Sequence, residues 1–447
     1  MFGLLESGFQ HFYWGNALML VIGGVFIYLA IAKKMEPLLL IPIGFSILLV
    51  NLPLGGMMDY QLKVRAPEAG NVLEVQMNEG DRFKEGDIIC QLDSGEVLTP
   101  VFGRIDEIKV SPGQHVEAGD MIASIITMQQ TDQSKVPTEP IGLLSRIFKF
   151  GIMWQVLPPL MFLCLGALTD FGPMLANPKT LLLGAAAQFG VYFAFFMALL
   201  FGFTLPEACS IGIIGGAEGP TTIYVTSILA PQIIGATAVA CYSYMALVPI
   251  ILPPVIKLLT TKKERAIYMK PQLREVLKLE KILFPLITTI VVILIVPFSA
   301  PLMGCFMVGN LFRECGVTDR LSNTAQTAFV DMLTIFLTLS IGATMPAENF
   351  LQSKTLLILV LGVVAFATAA AAGVVLAKIM NLFSKEKINP MIGAAGVSAV
   401  PMSARVVQVM GQKENPRNFL LMHAMGPNVA GAIGAAIAGG VFLGIVK

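Results

Sequence analysis

Glu218 is a carboxylate placed where a helix cannot continue, inside the apolar run Ile211-Gly212-Ile213-Ile214-Gly215-Gly216-Ala217-Glu218-Gly219-Pro220-Thr221. A second run, Met391-Ile392-Gly393-Ala394-Ala395-Gly396-Val397-Ser398-Ala399-Val400-Pro401-Met402, breaks at matching places: Gly212 falls on Gly393, Gly215 on Gly396 and Pro220 on Pro401. Glycine and proline interrupt the helix and free backbone carbonyls and amides, so such a pair, one in each half of a membrane chain, points to an ion site near the midplane. Asn389, Ser398, Ser403, Thr221, Thr222 and Asn428 add neutral oxygens at or near the breaks, the hard ligands that a small alkali cation prefers. Arg405 lies one turn beyond Pro401 and keeps its charge, which suits a carboxylate ligand or a fixed internal counter-charge. Ionisable groups in apolar segments are costly. Glu218 therefore reads as an ion or proton binder, with a structural partnership with Arg405 as the plainer alternative. Tyr242 and Tyr244 can pass a proton or anchor packing. Asp170 suits a helix cap, and a lone His423 is a relay or is satisfied locally.

The elements that must position these residues are membrane spans. Hydrophobic residues make up 55% of the 447, charged residues 13%, and glycine (42) and methionine (24) are abundant, with a mean hydropathy of +0.75. That leaves too little polar surface for a soluble protein of this length. A net charge of +1 without a basic tract argues against nucleic acid. Apolar runs near 16–33, 37–54, 152–169, 180–204, 233–256, 282–299, 301–312, 326–346, 355–379 and 419–446, with the two broken segments, give roughly ten to twelve elements. The stretch 17–32 reads as a retained first span, since no basic segment precedes it. Between 257 and 281 eight Lys or Arg face three acids, which marks a cytoplasmic loop. The six cysteines show neither CxxC nor metal spacing, and no disulfide is expected.

The exception is 59–128, which is charged, turn-rich and alternating. Pro67/Pro100, Gly70/Gly103, Gly80/Gly113, Gly86/Gly119 and Asp87/Asp120 share one offset of 33. Two copies with the same turns predict interlocked half-barrels. The pattern resembles the biotinyl/lipoyl-type domain. In that family a lysine stands on the hairpin joining the halves, but here the joint is Leu92-Asp93-Ser94-Gly95-Glu96-Val97-Leu98. The expectation is no covalent biotin or lipoate on this chain, with docking or scaffolding as the use and a mere spacer as the alternative. The polar stretch 129–150 reads as a linker.

A larger repeat surrounds the breaks. Leu165-Gly166-Ala167 matches Ile341-Gly342-Ala343, and Lys179-Thr180-Leu181-Leu182 matches Lys354-Thr355-Leu356-Leu357. The expected organisation is an N-terminal transmembrane hairpin (1–58), the β domain (59–128), the linker, membrane repeat 1 (151–260), a basic loop with connecting spans (261–325) and membrane repeat 2 (326–447). The fold class is thus an all-α polytopic membrane protein with two inverted repeats containing broken helices and a small all-β insert.

Glu36-Pro37-Leu38-Leu39-Leu40-Ile41-Pro42-Ile43-Gly44-Phe45, Thr169-Asp170-Phe171-Gly172-Pro173, 215–224, 389–405 and His423-Ala424-Met425-Gly426-Pro427-Asn428 resemble the β subunit of sodium-translocating biotin-dependent decarboxylases, a group acting on oxaloacetate, glutaconyl-CoA or methylmalonyl-CoA. The resemblance covers 1–58 and 140–447 and leaves the insert outside the usual pattern. It implies a multi-pass protein of the bacterial plasma membrane that decarboxylates carboxybiotin presented by a separate carrier subunit, consumes an outer-side proton and exports Na⁺. It further implies Asn389, Asn428, Glu218 and Gly393 around Na⁺, and Arg405, Ser398 and Tyr244, with Glu218, in carboxybiotin or ion handling. The partners implied are a carboxyltransferase (alpha) subunit, the biotin carrier, a small gamma/delta membrane subunit and further copies of this chain, as a homo-oligomeric trimer. The family usually has Asp where this chain has Glu218, one methylene longer. Two other readings share the broken helices: a Na⁺-coupled secondary transporter with no decarboxylase chemistry, and a non-catalytic membrane anchor for a carrier domain.

Overall fold

Two lysines end the first membrane helix. Trp14–Lys33 is apolar until Lys33-Lys34, and Lys34, in left-handed backbone at φ 52, turns the chain back into Pro37–Val50. The computed structural model describes residues 12–53, 55–128, 138–270, 274–384 and 386–446. Residues 129–137 of the expected linker lie outside the described residues, and the rest of it contains the strand Glu139–Pro140 and the helix Leu143–Phe148. Six helices are long and apolar enough to cross a bilayer, and a bent pair, Leu143–Met153 with Leu157–Leu168, meets the same criterion together at 66°. The chain is a multi-pass membrane protein.

The insert forms two antiparallel sheets. One runs Arg82–Phe83, Gly103–Ile108, Met121–Thr127, Tyr60–Arg65, Glu139–Pro140; the other runs Gly95–Leu98, Ile88–Leu92, Gly70–Val75, His115–Val116. The two sequence copies exchange strands: Arg82–Phe83 of the first pairs with Gly103–Ile108 of the second, and His115–Val116 of the second with Gly70–Val75 of the first. These are the interlocked half-barrels expected from the repeat. Gly80 and Gly113 (φ 89 and 86), and Gly86 and Gly119 (φ 89 and 94), make the same left-handed turns, which side chains rarely adopt. Alternating Leu62, Val64, Ile105, Ile122 and Ile125 fill the core.

At the joint, Asp93 and Ser94 form a two-residue turn, and the Asp93 carboxylate accepts from Asn71 N and from Asn71 Nδ2, both at 2.8 Å. The backbone hydrogen bond from Asn71, then its side-chain amide, holds the Asp93 carboxyl below the usual carboxylate range. A depressed carboxyl stabilises the fold above its unfolded value of about 4 and loses that contribution as pH falls through the folded value. The expected result is that protease cleaves intact protein near Ser94 faster below that pH, and that Asp93→Ala shows the fast cleavage already at neutral pH.

The insert is seated rather than suspended. Its entry and exit are tied by Leu144 N donating to Met57 O at 2.8 Å and Ser145 Oγ to Asp59 O at 2.8 Å, and a Cβ at Gly142 would collide with the Gly56 and Met57 carbonyls. Met58 and Tyr60 join one apolar cluster with Phe148, Ile152, Ile43 and Ile341 of the membrane helices.

The repeat appears as two inverted units. In the first, Thr180–Leu200 leads to a hairpin, Leu205–Gly212 and Gly219–Leu229, then to Ile234–Leu259. In the second, Ser353–Phe383 leads to Met391–Ala394 and Met402–Glu414, then to Leu421–Val446. Contacts at the hairpin bases show the inversion. The first enters where Lys354 Nζ stands 3.9 Å from Glu207 Oε1, and Met128 of the insert lines a cavity there with Gln232. The second enters at the opposite end of the same long helix, where Lys378 meets Glu264 at 3.1 Å and Arg265 meets Glu414 at 2.7 Å. Each hairpin packs backbone on backbone against a long helix: a Cβ at Gly215 would collide with the Gly190 carbonyl, and one at Gly393 with the Gly373 carbonyl.

The ends of the membrane body differ in charge. Lys33, Lys34, Lys257, Lys413 and Arg405 share one cavity with Glu36, beside the loop carrying Lys262, Lys263 and Arg265. The insert sits at the other end, because Pro37–Val50 runs from Glu36 at that cavity to Asn51, whose amide donates to Met345 O at 2.8 Å and whose Oδ1 accepts from Ala347 N at 2.9 Å. These ends are called the basic face and the insert face below.

Candidate functional site

The break in the first hairpin follows its glycines. Leu205–Gly212 tightens into the 3₁₀ turn Ile213–Gly216, Ala217 adopts left-handed backbone at φ 56, and Glu218 is extended (φ −121, ψ 101) as the cap of Gly219–Leu229. Ala217 is strained for a residue with a Cβ. The result aims a carboxylate, 3% exposed, into the gap between the hairpin tips. It also lies at a helix N-terminus, whose dipole favours negative charge there.

Ser398, in the unwound tip of the second hairpin, joins the two. Its Oγ lies 2.8 Å from the Gly216 carbonyl and 2.9 Å from Glu218 Oε2. One hydroxyl hydrogen cannot serve both acceptors. The Gly216 carbonyl also accepts from Ser398 N at 3.4 Å, which leaves the hydroxyl for Glu218, and two arrangements neutralise the buried carboxylate. A protonated Glu218 donates to Ser398 Oγ, which donates to Gly216; or an ionised Glu218 and its neighbouring oxygens share a cation. Among the described residues no Lys, Arg or His lies within 4 Å of Glu218 to neutralise it, and an isolated buried carboxylate is costly.

Buried oxygens without protein partners surround this junction. Gln188 Nε2 donates to Gly431 O at 3.0 Å, which leaves Gln188 Oε1 without a partner and facing Gly216. Asn428 Nδ2 has three acceptors in reach for its two hydrogens, Ala395 O, Val397 O and Ser403 Oγ at 2.9, 2.8 and 2.7 Å, and its Oδ1 is unpaired. Thr221 Oγ1, in the first turn after Glu218, and Tyr242 OH, against Gly219, are unpaired too. Buried oxygens are almost always satisfied. Each of the four is an oxygen, on residues in or against the two tips, and oxygen is what a small hard cation takes. Among the described residues no cluster of three His, Cys, Asp or Glu exists to hold a transition metal.

Other residues singled out in the sequence take different places. Asn389 stands at the base of the second hairpin, where Nδ2 donates to Arg265 O at 2.7 Å and Ile267 O at 3.0 Å and Oδ1 accepts from Met391 N at 3.1 Å. Gly393 lets the hairpin approach Gly373. Tyr244 donates its hydroxyl to the Leu359 carbonyl of a neighbouring helix. Arg405 does not pair with Glu218; it is exposed to the cavity of about 500 Å³ on the basic face. Asp170 caps locally, accepting from Gly172 N at 2.8 Å, and His423 Nε2 meets Lys270 O at 2.9 Å. Gln188 escaped the sequence reading. Its only signal is a single amide in the apolar run 180–204, at the point where Thr180–Ala187 gives way to Phe189–Leu200.

A family profile described as the Na⁺-transporting oxaloacetate decarboxylase beta subunit matches residues 15–446. The methylmalonyl-CoA decarboxylase subunit beta of Propionigenium modestum is 50% identical over 441 residues, covering 98% of this chain and 97% of that one. The oxaloacetate decarboxylase beta chain 2 of Salmonella typhi is 48% identical over 452 residues, again 98% and 97%. Alignments this complete leave no gap for a missing β domain, so the expectation that the insert departs from the family is corrected: these relatives match this chain through it. By profile and by identity, the chain belongs to the family of Na⁺-transporting oxaloacetate decarboxylase beta subunits.

Proposed function

We propose that the chain decarboxylates carboxybiotin brought to the basic face by a separate carrier subunit, and couples the step to Na⁺ export and uptake of a proton from the insert face. The observation that carries this is the buried Glu218–Ser398–Gly216 junction, where the carboxylate has one hydroxyl beside it and no basic partner among the described residues, so that a proton or a cation on Glu218 neutralises it. Binding of the two is then mutually exclusive. Na⁺ is held by Glu218, Ser398 and Asn428, with Gln188 and Thr221 completing the oxygen set. A proton arriving on Glu218 expels it.

The basic cavity suits the other substrate. Five cationic side chains against Glu36 attract an anion, and Arg405 pairs with the carboxylate of carboxybiotin. The cavity reaches Met402, four residues from Ser398. When the N–CO₂ bond breaks, its electron pair stays on the ring nitrogen and one proton restores the N–H. Asn389 fixes the hairpin base, and becomes an ion ligand only in a state where the hairpin has left the 265–267 loop. Tyr244 steadies the helix that carries Leu359. An excess of Lys and Arg marks the cytoplasmic side, which places the insert outside and Na⁺ release on its side. The protein works within the multi-subunit decarboxylase that the relatives' names denote, alongside carboxyltransferase and small membrane subunits, as a homotrimer in the bacterial plasma membrane.

Exporting Na⁺ against ~100 mV costs ~2.3 kcal/mol per charge, and each tenfold gradient adds ~1.4 kcal/mol. Decarboxylation without transport would waste that work, which is the reason for making bound Na⁺ a condition of turnover. The test is whether purified protein decarboxylates free carboxybiotin only with Na⁺ present. Turnover indifferent to Na⁺ overturns the coupling, and Na⁺ movement without any decarboxylation favours a secondary transporter. Arg405→Ala should raise KM for carboxybiotin at least about tenfold, the ~1.4 kcal/mol or more expected of a charge-assisted contact. The Na⁺ concentration for half activation should stay unchanged in the same assay.

A further inference from the structure

The helices Gly219–Leu229 and Ile234–Leu259 face each other through polar rungs that lead from Glu218 toward the insert face. Thr237 Oγ1 lies 3.3 Å from Thr226 Oγ1. One turn nearer the break, Thr222 Oγ1 lies 3.5 Å from Cys241 Sγ and 2.9 Å from the Glu218 carbonyl. All four side chains are wholly buried. Elsewhere in the spans a threonine simply returns its hydroxyl to the carbonyl four residues back, as Thr289, Thr334 and Thr368 do. Here the hydroxyls also cross to the next helix, twice and in register.

The outer rung lies behind the wall of a cavity, next in the chain to residues that line it. Thr237 Oγ1 is 3.2 Å from the Ile233 carbonyl, and Ile233, Gly235 and Ala236 line a cavity of about 220 Å³ at the insert face with Glu207 and Lys354. The titratable groups facing the route are Glu207 and Lys354 at this mouth, and Cys241, Tyr242 and Glu218 at the inner end.

We propose that these rungs are the route by which the proton from the insert face reaches Glu218, an inference that rests on the function proposed above. A hydroxyl accepts a proton on a lone pair and releases its own, so transfer along the rungs leaves each unchanged. The rungs are one turn, ~5.4 Å, apart, a span that one water bridges with two ordinary hydrogen bonds of about 2.8 Å. The net event is one proton taken from water in the cavity, carried past the inner rung by a further water because Thr222 itself meets only the Glu218 backbone carbonyl, and placed on the Glu218 carboxylate as Na⁺ leaves.

The experiment uses the protein in vesicles with the insert face inward, a pH dye inside, and free carboxybiotin and Na⁺ outside. Thr226→Val with Thr237→Val keeps shape and removes both hydroxyls. It should slow internal alkalinisation about a hundredfold, the lower end of what lost proton-transfer assistance costs, while equilibrium binding of ²²Na⁺ is unchanged. Thr226→Ser with Thr237→Ser should restore it to within about twofold, since the donor and acceptor are retained. A valine pair as fast as wild type, or a serine pair as slow as the valine pair, overturns the route. An independent arm introduces Ala236→Cys and applies a small membrane-impermeant thiol reagent. Labelling from the insert face is expected, and labelling from the basic face alone, or none, overturns the route even if the valine pair fails to fold. If wild type turns over without internal alkalinisation, the function proposed above falls instead, while the labelling arm still reports on access.

Discussion

Glu218→Gln should abolish Na⁺-dependent decarboxylation while leaving a protein that inserts and folds as wild type. The amide is isosteric and keeps an oxygen toward Ser398, and a neutral group in this gap is cheaper to bury than a carboxylate. It can neither neutralise Na⁺ nor accept and release a proton at working pH. We expect turnover to fall by at least about a hundredfold, the lower end of what a lost acid–base group costs, and ²²Na⁺ binding to vanish with it. Size-exclusion behaviour and thermal stability in detergent should match or exceed wild type. Full Na⁺-dependent activity in this variant would remove the basis of the proposed coupling.

Gly431→Val should have an effect of similar size for a steric reason. Gly431 lies on Leu421–Val446 where the second hairpin's tip crosses, so close that a Cβ would collide with the Gly396 carbonyl and stand 3.2 Å from Ser398 Cβ. A backbone carbonyl cannot turn away as a side chain can, so the tip itself has to move. Overpacking of this kind costs about 1–3 kcal/mol, and here it also draws Ser398 from Glu218 and shifts the Gly431 carbonyl that orients Gln188. The expected result is a lower melting temperature and a Na⁺ requirement for turnover raised at least roughly tenfold, ~1.4 kcal/mol. Wild-type Na⁺ dependence in a folded Gly431→Val protein would show that the tip does not have to touch this helix.

What could be read in the sequence was what glycine, proline and charge fix locally. The two breaks and Glu218 between them were legible, because a carboxylate flanked by Gly216 and Pro220 has no helical alternative. The β domain was legible from turns repeated at a constant offset. The partners of each residue were not. Gln188 lies twenty-eight residues before Gly216 and faces it only because the first hairpin folds back against Phe189–Leu200, with the Gly431 carbonyl holding the Gln188 amide. Tyr242 and Tyr244 are alike in sequence, yet only Tyr242 reaches the first hairpin's tip, against Gly219, while Tyr244 turns to Leu359. Asn389 belongs to the broken segment, but which end of that segment faces the centre depends on the direction from which the hairpin enters. Composition alone could not say that the insert and the basic loop occupy opposite faces; the path of Pro37–Val50 does.

The close crossing of Gly142 over Gly56 and Met57 has a mechanical consequence. A barrel that carried a group between distant centres would need a slack tether. This one is held at its entry, where Met57 and Asp59 bond to Leu144 and Ser145 and Met58 packs into the bundle. It cannot shuttle. Under the proposed function, the carrier that brings the carboxyl group to Arg405 is then another polypeptide, docking at the basic face.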